Sequence, residues 1–285
     1  MPIAPGRRTT VRIEPMPPQR TSAVLRRWWI PCWVLTRRQV RPSLRNGEVL
    51  TAVLAPTVFT LGFYVPLNRV MSFAGHGASS YAQFLMPMVV MQAVSFCATA
   101  AAFRAAVDAR DGLDARLATM PIPPIAPLVA RTAATGYRSV VALAAALLAA
   151  HVIGFRFGGS RWETAGFLAF AVALGVMLGL FGDLLGTVSK SPEATTQVLM
   201  LPQLILGMVS TGFAPADQFP PWIQGFARDQ PVSQFVDTMR ALAGDRTGFA
   251  TPVDWATVAP GVLWTAAGVL VFGGGSVLVA LRRQR

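Results

Sequence analysis

Residues 188–243 read VSKSPEATTQVLMLPQLILGMVSTGFAPADQFPPWIQGFARDQPVSQFVDTMRALA, and their reading decides the fold. The stretch opens on a polar turn, Ser189-Lys190-Ser191-Pro192-Glu193. A mainly apolar run from Ala194 to Phe213 follows, and about 20 such residues of helix cross the hydrocarbon core of a bilayer. Pro215, Pro220, Pro221 and Pro231 then break residues 214–254 into short pieces. Trp222, Ile223, Phe226 and Phe235 give those pieces apolar faces, and Trp suits a membrane–water interface. Short helices dip into a membrane only where protein or water covers their backbone. The segment 214–254 therefore reads as an outer re-entrant or interfacial helix pair. Pro221, Trp222 and Phe226 are its candidate gate residues; the plainer alternative is a lid that only stabilises the spans on either side.

Working outward, further apolar runs bracket this stretch. Before it lie spans near Val49–Val65, Tyr81–Val107, Thr135–Ile153 and Thr164–Val188, and after it one near Trp255–Leu281. Pro56 and Pro66 interrupt or end the first, leaving 67–80 as an outer loop. The fold class is thus an all-α integral membrane protein with six transmembrane helices across residues 47–285. Composition agrees. Of the 285 residues, 53% are hydrophobic and 13% charged, against about 25% charged in a soluble domain.

The net charge of +12 is uneven: ten arginines precede Glu48, and Arg282, Arg283 and Arg285 close the chain. Basic ends flanking apolar spans are a topology signal, and no basic stripe interleaved with stacking aromatics points to nucleic acid. Six spans put both ends on one side, and the arginines make that side cytoplasmic, in the plasma membrane. Residues 1–21 are rich in Pro, Arg and Thr without an apolar run, so they read as a disordered cytoplasmic tail rather than a signal peptide. Residues 22–46 place Trp29, Trp33, Val40 and Leu44 on one helix side and Arg37, Arg41 and Arg45 on the next. That is an amphipathic interfacial helix, with Pro31 near its regular start.

Candidate sites are few. The sole lysine, Lys190, sits in Gly186-Thr187-Val188-Ser189-Lys190-Ser191, which lacks the glycine pattern that cradles phosphates. The chain is therefore not expected to hydrolyse ATP. Cys32, Cys97, His76 and His151 form no metal spacing. No catalytic constellation stands out. Arg138 and Asp183 lie near the inner ends of adjacent antiparallel spans and are expected to pair; the alternative is that Arg138 snorkels to the headgroups while Asp183 faces water. Gln92 and Gln203 are polar at mid-span, as helix–helix hydrogen bonds or as candidate pathway lining. Between the second and third spans, residues 108–121 read as a short charged helix in which Leu113 and Leu117, four residues apart, share a face, or as a solvated interhelical loop.

These motifs resemble the permease subunits of type-2 ABC exporters, in the daunorubicin-resistance branch. In that family the loop between spans 2 and 3 has the form charged–Gly–Leu–x–x–Arg–Leu–x–x–Met–Pro. Here it is Asp111-Gly112-Leu113-Asp114-Ala115-Arg116-Leu117-Ala118-Thr119-Met120-Pro121. The resemblance implies a coupling helix in which Asp111, Gly112, Leu113, Arg116, Leu117 and Met120 meet a separate ATPase subunit. ATP and Mg would be bound there and no cofactor in this chain. It also implies an N-terminal elbow helix packed beside that loop, and a second permease, identical or paralogous. Asn46-Gly47-Glu48-Val49-Leu50, Gly62-Phe63-Tyr64, Gly154-Phe155-Arg156-Phe157 and Gln230-Pro231-Val232-Ser233-Gln234-Phe235 resemble the subgroup of mycobacterial permeases for phthiocerol dimycocerosate lipids. The expected function is export of such a lipid, with drug efflux as the alternative. A membrane-embedded enzyme or a secondary transporter, the latter with broken, repeated helices, is the remaining rival.

Overall fold

A computed structural model describes residues 29–45, 47–73, 78–189, 191–244 and 253–282. The expected tail 1–21, residues 22–28 of the expected elbow, Lys190, residues 245–252 of the outer segment and the closing 283–285 lie outside the described residues. All regular structure among the described residues is helical. In chain order α1 spans Trp29–Ser43, α2 Glu48–Phe73, α3 Ala78–Arg110, α4 Leu113–Ala118, α5 Ala126–Val152 and α6 Arg161–Ser189. Then come α7 Pro192–Met208, a 3-10 turn Ala216–Gln218, α8 Pro221–Asp229, α9 Pro231–Ala243 and α10 Trp255–Arg282.

Five of these, α2, α3, α5, α6 and α10, are long and apolar enough to cross a membrane, with mean hydropathies from 1.5 to 2.2. Their burial sorts them. In its most apolar window α3 is 83% buried, whereas α2 and α10 are only 11% buried there. The central post is therefore α3, packed by α2, α5, α6, α7 and α9, while α10 rests on α6 and α9. Leu50, Leu54, Val58 and Leu61 of α2 and Leu263, Leu270 and Val271 of α10 are exposed. In a bilayer that exposure costs nothing, since acyl chains are as apolar as the side chains.

The expected span Ala194–Phe213 is shorter than read. The helix α7 has 17 residues, about 25 Å at 1.5 Å per residue. Its start follows from local chemistry: Pro192 occupies the first turn and Ser191 Oγ accepts from the Ala194 amide at 3.4 Å. Conversely, the expected outer loop 67–80 is mostly helix. The helix α2 runs through Pro56 and Pro66 to Phe73, and α3 begins at Ala78. A proline removes one backbone hydrogen bond, but unwinding the helix in hydrocarbon would expose more polar groups than the proline does. The Thr57 and Thr60 hydroxyls donate to the carbonyls of Val53 and Pro56 at 2.8 and 2.7 Å.

The helix α1 starts at Trp29 and holds Pro31 in its first turn, where proline is tolerated. It packs along α5, burying Cys32 and Ser43 while Trp29, Trp33 and Leu44 stay exposed. The tightest packing joins α3 to α6. A Cβ on Gly182 would meet the Ala98 carbonyl, and one on Gly186 the Ala102 carbonyl. Small residues at this spacing let two backbones close on each other.

Candidate functional site

The charged end of the bundle carries α1, α4 and the adjoining ends of α2, α3, α5 and α6. At Asp111-Gly112 the chain leaves α3 and turns into α4. Gly112 has φ +70°, a left-handed conformation that glycine adopts without cost. The Arg116 amide donates to the Gly112 carbonyl at 3.2 Å, and the Met120 amide to the Leu117 carbonyl at 3.1 Å. Of the expected coupling residues, Asp111, Arg116 and Met120 are exposed, and Gly112 and Leu113 are half-buried. Leu117 is 7% exposed and turns into the bundle, beside Pro127, Leu128 and Arg131. Leu117 thus anchors α4 to its own protein. Leu113 and Leu117 share a cavity of about 190 Å³ with Leu35, Arg38 and Gln39 of α1.

One arginine ties α4 to two long helices. Arg131 of α5 donates through Nε to Asp183 of α6 at 2.5 Å and through Nη1 to Asp114 of α4 at 3.1 Å. The side chains of Arg131, Asp114 and Asp183 are 12%, 13% and 6% exposed. The expected partner of Asp183 was Arg138, so the pairing is corrected to Arg131. Register explains why. Gly175 lies against Ser139 and Gly179 against Thr135; one more turn up α6 and one more down α5 sets Asp183 against Arg131. Arg138 is level with a point two turns deeper on α6.

Arg138 instead joins a second cluster. Glu48, in the first turn of α2, accepts from Arg104 of α3 at 2.8 Å and from Arg138 at 3.3 Å. A carboxylate also suits the positive end of a helix dipole. Arg138 donates further to the Thr135 hydroxyl at 3.4 Å. Arg131, Asp114, Glu48 and Arg104 were missed as site residues. The one available signal was the cost of any ionisable group placed in a span, which should have drawn Arg104 and Arg131 in with Arg138.

Gln92 and Gln203 meet across α3 and α7, with Gln203 Nε2 donating to Gln92 Oε1 at 3.2 Å. Both line a cavity of about 170 Å³ with Met88, Met91 and Phe181. At the other end of the bundle Trp222 is 82% and Phe226 53% exposed, and Pro221 is exposed too. They sit on the outer face of α8, whereas most of α9 is buried. The α9 helix closes the end of α7. Gln230 Nε2 donates to the carbonyls of Leu206 and Val209 at 2.8 and 2.9 Å, and Ser233 Oγ accepts from the Thr211 amide at 3.1 Å. Arg240 bonds Asp237 at 2.7 Å and lies 4.3 Å from the centre of the Phe84 ring. Burial pushes the Asp237 carboxyl above the usual range, against the pull of Arg240 and Thr211.

Comparison with known proteins adds a family. Residues 55–278 match the family described as ABC-2 family transporter protein. The chain is 43% identical over 256 residues to the doxorubicin resistance ABC transporter permease protein DrrB of Mycobacterium tuberculosis, covering 88% of this chain and 89% of that one. It is 27% identical over 197 residues to the probable doxorubicin resistance ABC transporter permease protein DrrC of the same organism, covering 68% and 70%. It is also 27% identical over 206 residues to the daunorubicin resistance ABC transporter permease protein DrrB1 of Streptomyces coeruleorubidus, covering 71% and 70%. These names speak of drug resistance, and none of them carries the lipid cargo that the sequence motifs put first.

Proposed function

This chain belongs to the ABC-2 family of transporter proteins, and on that premise we propose that it is the permease subunit of an ATP-driven exporter of amphipathic compounds. Drugs of the doxorubicin and daunorubicin kind are the leading cargo, by analogy with the named relatives. A cell-envelope lipid is the second reading. It is favoured by a largely apolar groove between α2 and α7 whose lining residues Phe103 and Met200 are exposed. ATP and Mg are bound by a separate ATPase, and a second permease completes the path.

The observation that carries the coupling role is the Asp114–Arg131–Asp183 chain of contacts. A partner closing on ATP pushes α4 at Asp111, Arg116 and Met120. Because Asp114 and Leu117 fasten α4 inward, the push reaches α5 and α6 as a displacement rather than as local bending. In this mechanism Leu117 is a transmitting residue and not a contact of the ATPase. Arg116→Glu with Met120→Asp is expected to lose the ATPase from a mild-detergent pull-down, at least tenfold, the equivalent of about 1.4 kcal/mol. The melting temperature of the chain itself should stay unchanged. Retention of the ATPase by that variant would sink the docking assignment.

Six spans follow if α7 crosses as the fifth, leaving both termini cytoplasmic and α8 and α9 as an outer cap with Pro221, Trp222 and Phe226 at its gate. Support comes from the depth α7 covers beside α3. Thr196 and Met200 share a groove with Phe96 and Arg104, Gln203 bonds Gln92, and Gly207 lies against Met88. The crossing is testable because both native cysteines are buried. Gly225→Cys on α8, where a new side chain meets nothing within 4 Å, should react with a membrane-impermeant maleimide added outside intact cells. Labelling only after lysis would put α8 on the cytoplasmic side and leave five spans.

A further inference from the structure

A groove of about 520 Å³ opens between α2, α3, α5 and α7. Ala52, Ala55, Phe96, Phe103 and Met200 make most of it apolar, and Glu48, Arg104 and Arg138 line its charged end. The charges there do not balance. Glu48 accepts from both guanidinium groups, at 2.8 and 3.3 Å, so one anion serves two cations. Two buried donors are left over: Arg104 Nη2 and Arg138 Nε have no acceptor. The Arg138 side chain is 3% exposed, and a charged donor so deeply buried and unpaired is costly. A phosphate or carboxylate fits this surplus, since guanidinium N–H groups form strong, directed bonds to such oxygens. A cationic amphiphile meets a site that already carries a surplus positive charge.

We propose that this groove binds a membrane amphiphile with an anionic phosphate head, the head on Arg104 and Arg138 and the apolar chains along α2 and α7. The mouth suits chains in lipid, because Phe103 on α3 and Met200 on α7, both in its lining, are exposed and apolar. Glu48 then acts as a counterweight. It keeps the two arginines folded in when the groove is empty and limits affinity when it is filled, so that the amphiphile can leave. The leaflet from which it enters rests on the topology proposed above, but binding does not. Binding is read without an ATPase or an exported cargo, so failure here leaves the exporter reading standing.

The test titrates the full chain, purified in a neutral detergent, with phosphatidylglycerol, phosphatidylcholine or inorganic phosphate, and counts bound molecules by native mass spectrometry. Phosphatidylglycerol should bind about tenfold more tightly than phosphatidylcholine, the scale of one charge-assisted contact. Arg104→Gln should abolish that preference. Glu48→Gln should move it the other way, to a severalfold tighter complex, because the competing anion is gone. Opposite signs from two members of one cluster are not what a purely structural role produces, so the second variant decides if the first folds poorly. Arg37→Gln, on the exposed side of α1, should change nothing. Equal binding of the two lipids, weaker binding by Glu48→Gln, loss of preference in Arg37→Gln, or displacement of the lipid by an equal concentration of inorganic phosphate would each overturn the proposal.

Discussion

Arg131→Leu should cost about 3–5 kcal/mol of stability, the usual consequence of removing one member of a buried ionic cluster. Asp114 and Asp183 share this guanidinium at 3.1 and 2.5 Å, with side chains only 13% and 6% exposed. The loss therefore takes the shared guanidinium from two buried carboxylates at once, and the melting temperature in mild detergent reports it. Asp183→Asn and Asp114→Asn should each cost less, since Arg131 keeps its other partner. The double variant Arg131→Leu with Asp183→Leu should recover part of the single loss, a coupling of about 0.5–3 kcal/mol for residues in one network. Strict additivity would mean that the cluster is not energetically a unit. Asp114→Asn has a second use. It weakens the tie of α4 to α5 and leaves the α5–α6 pair intact, so it should lower export while ATPase binding holds and the melting temperature falls by less than in Arg131→Leu. Unimpaired export in that variant would remove the cluster from the coupling path.

Gly186→Val should leave little folded protein, at a cost of about 3 kcal/mol or more for overpacking a tight interface. Even the first added carbon collides with the Ala102 carbonyl and the Ala105 side chain. Those atoms belong to α3, which is held on all sides and cannot step away. Gly182→Val meets the Ala98 carbonyl in the same way. The built-in control is Gly274→Ala on α10, where nothing lies within 4 Å. It should be neutral or gain up to about 1 kcal/mol from helix propensity. Yield of monodisperse protein and its melting temperature separate the two outcomes. Equal behaviour of Gly186→Ala and Gly274→Ala would mean that α3 and α6 do not pack this closely in the bilayer.

Much of the architecture was legible locally. Apolar runs located all five long spans, Pro192 after Ser191 marked the start of α7, and Pro221 and Pro231 marked α8 and α9. The misreadings share one cause. Pro56 reads as an interruption that neighbours can offset and Pro66 as the end of the first span; within a packed, apolar bundle the helix is the cheaper state through both. Leu113 and Leu117 are expected to meet the ATPase together because an isolated helix shows only that they share a face. In the bundle, Arg131, Pro127 and Leu128 lie under Leu117 and claim it.

The charge pairs divide the two kinds of information most clearly. Composition and period are properties of neighbours along the chain, so the sequence by itself determined that this is a helical membrane protein, where its helices lie and which short segments are amphipathic. That an aspartate in a span needs a cation follows from the same physics of burial, and Asp183 was singled out on that ground. Which cation it takes was decided only by the tertiary structure. The glycine contacts set α5 against α6 in a register that brings Arg131, and not Arg138, to Asp183, and they free Arg138 to meet Glu48 and Arg104. Register between antiparallel helices is fixed by contacts among residues far apart in the chain, and a shift of two turns leaves every local pattern unchanged.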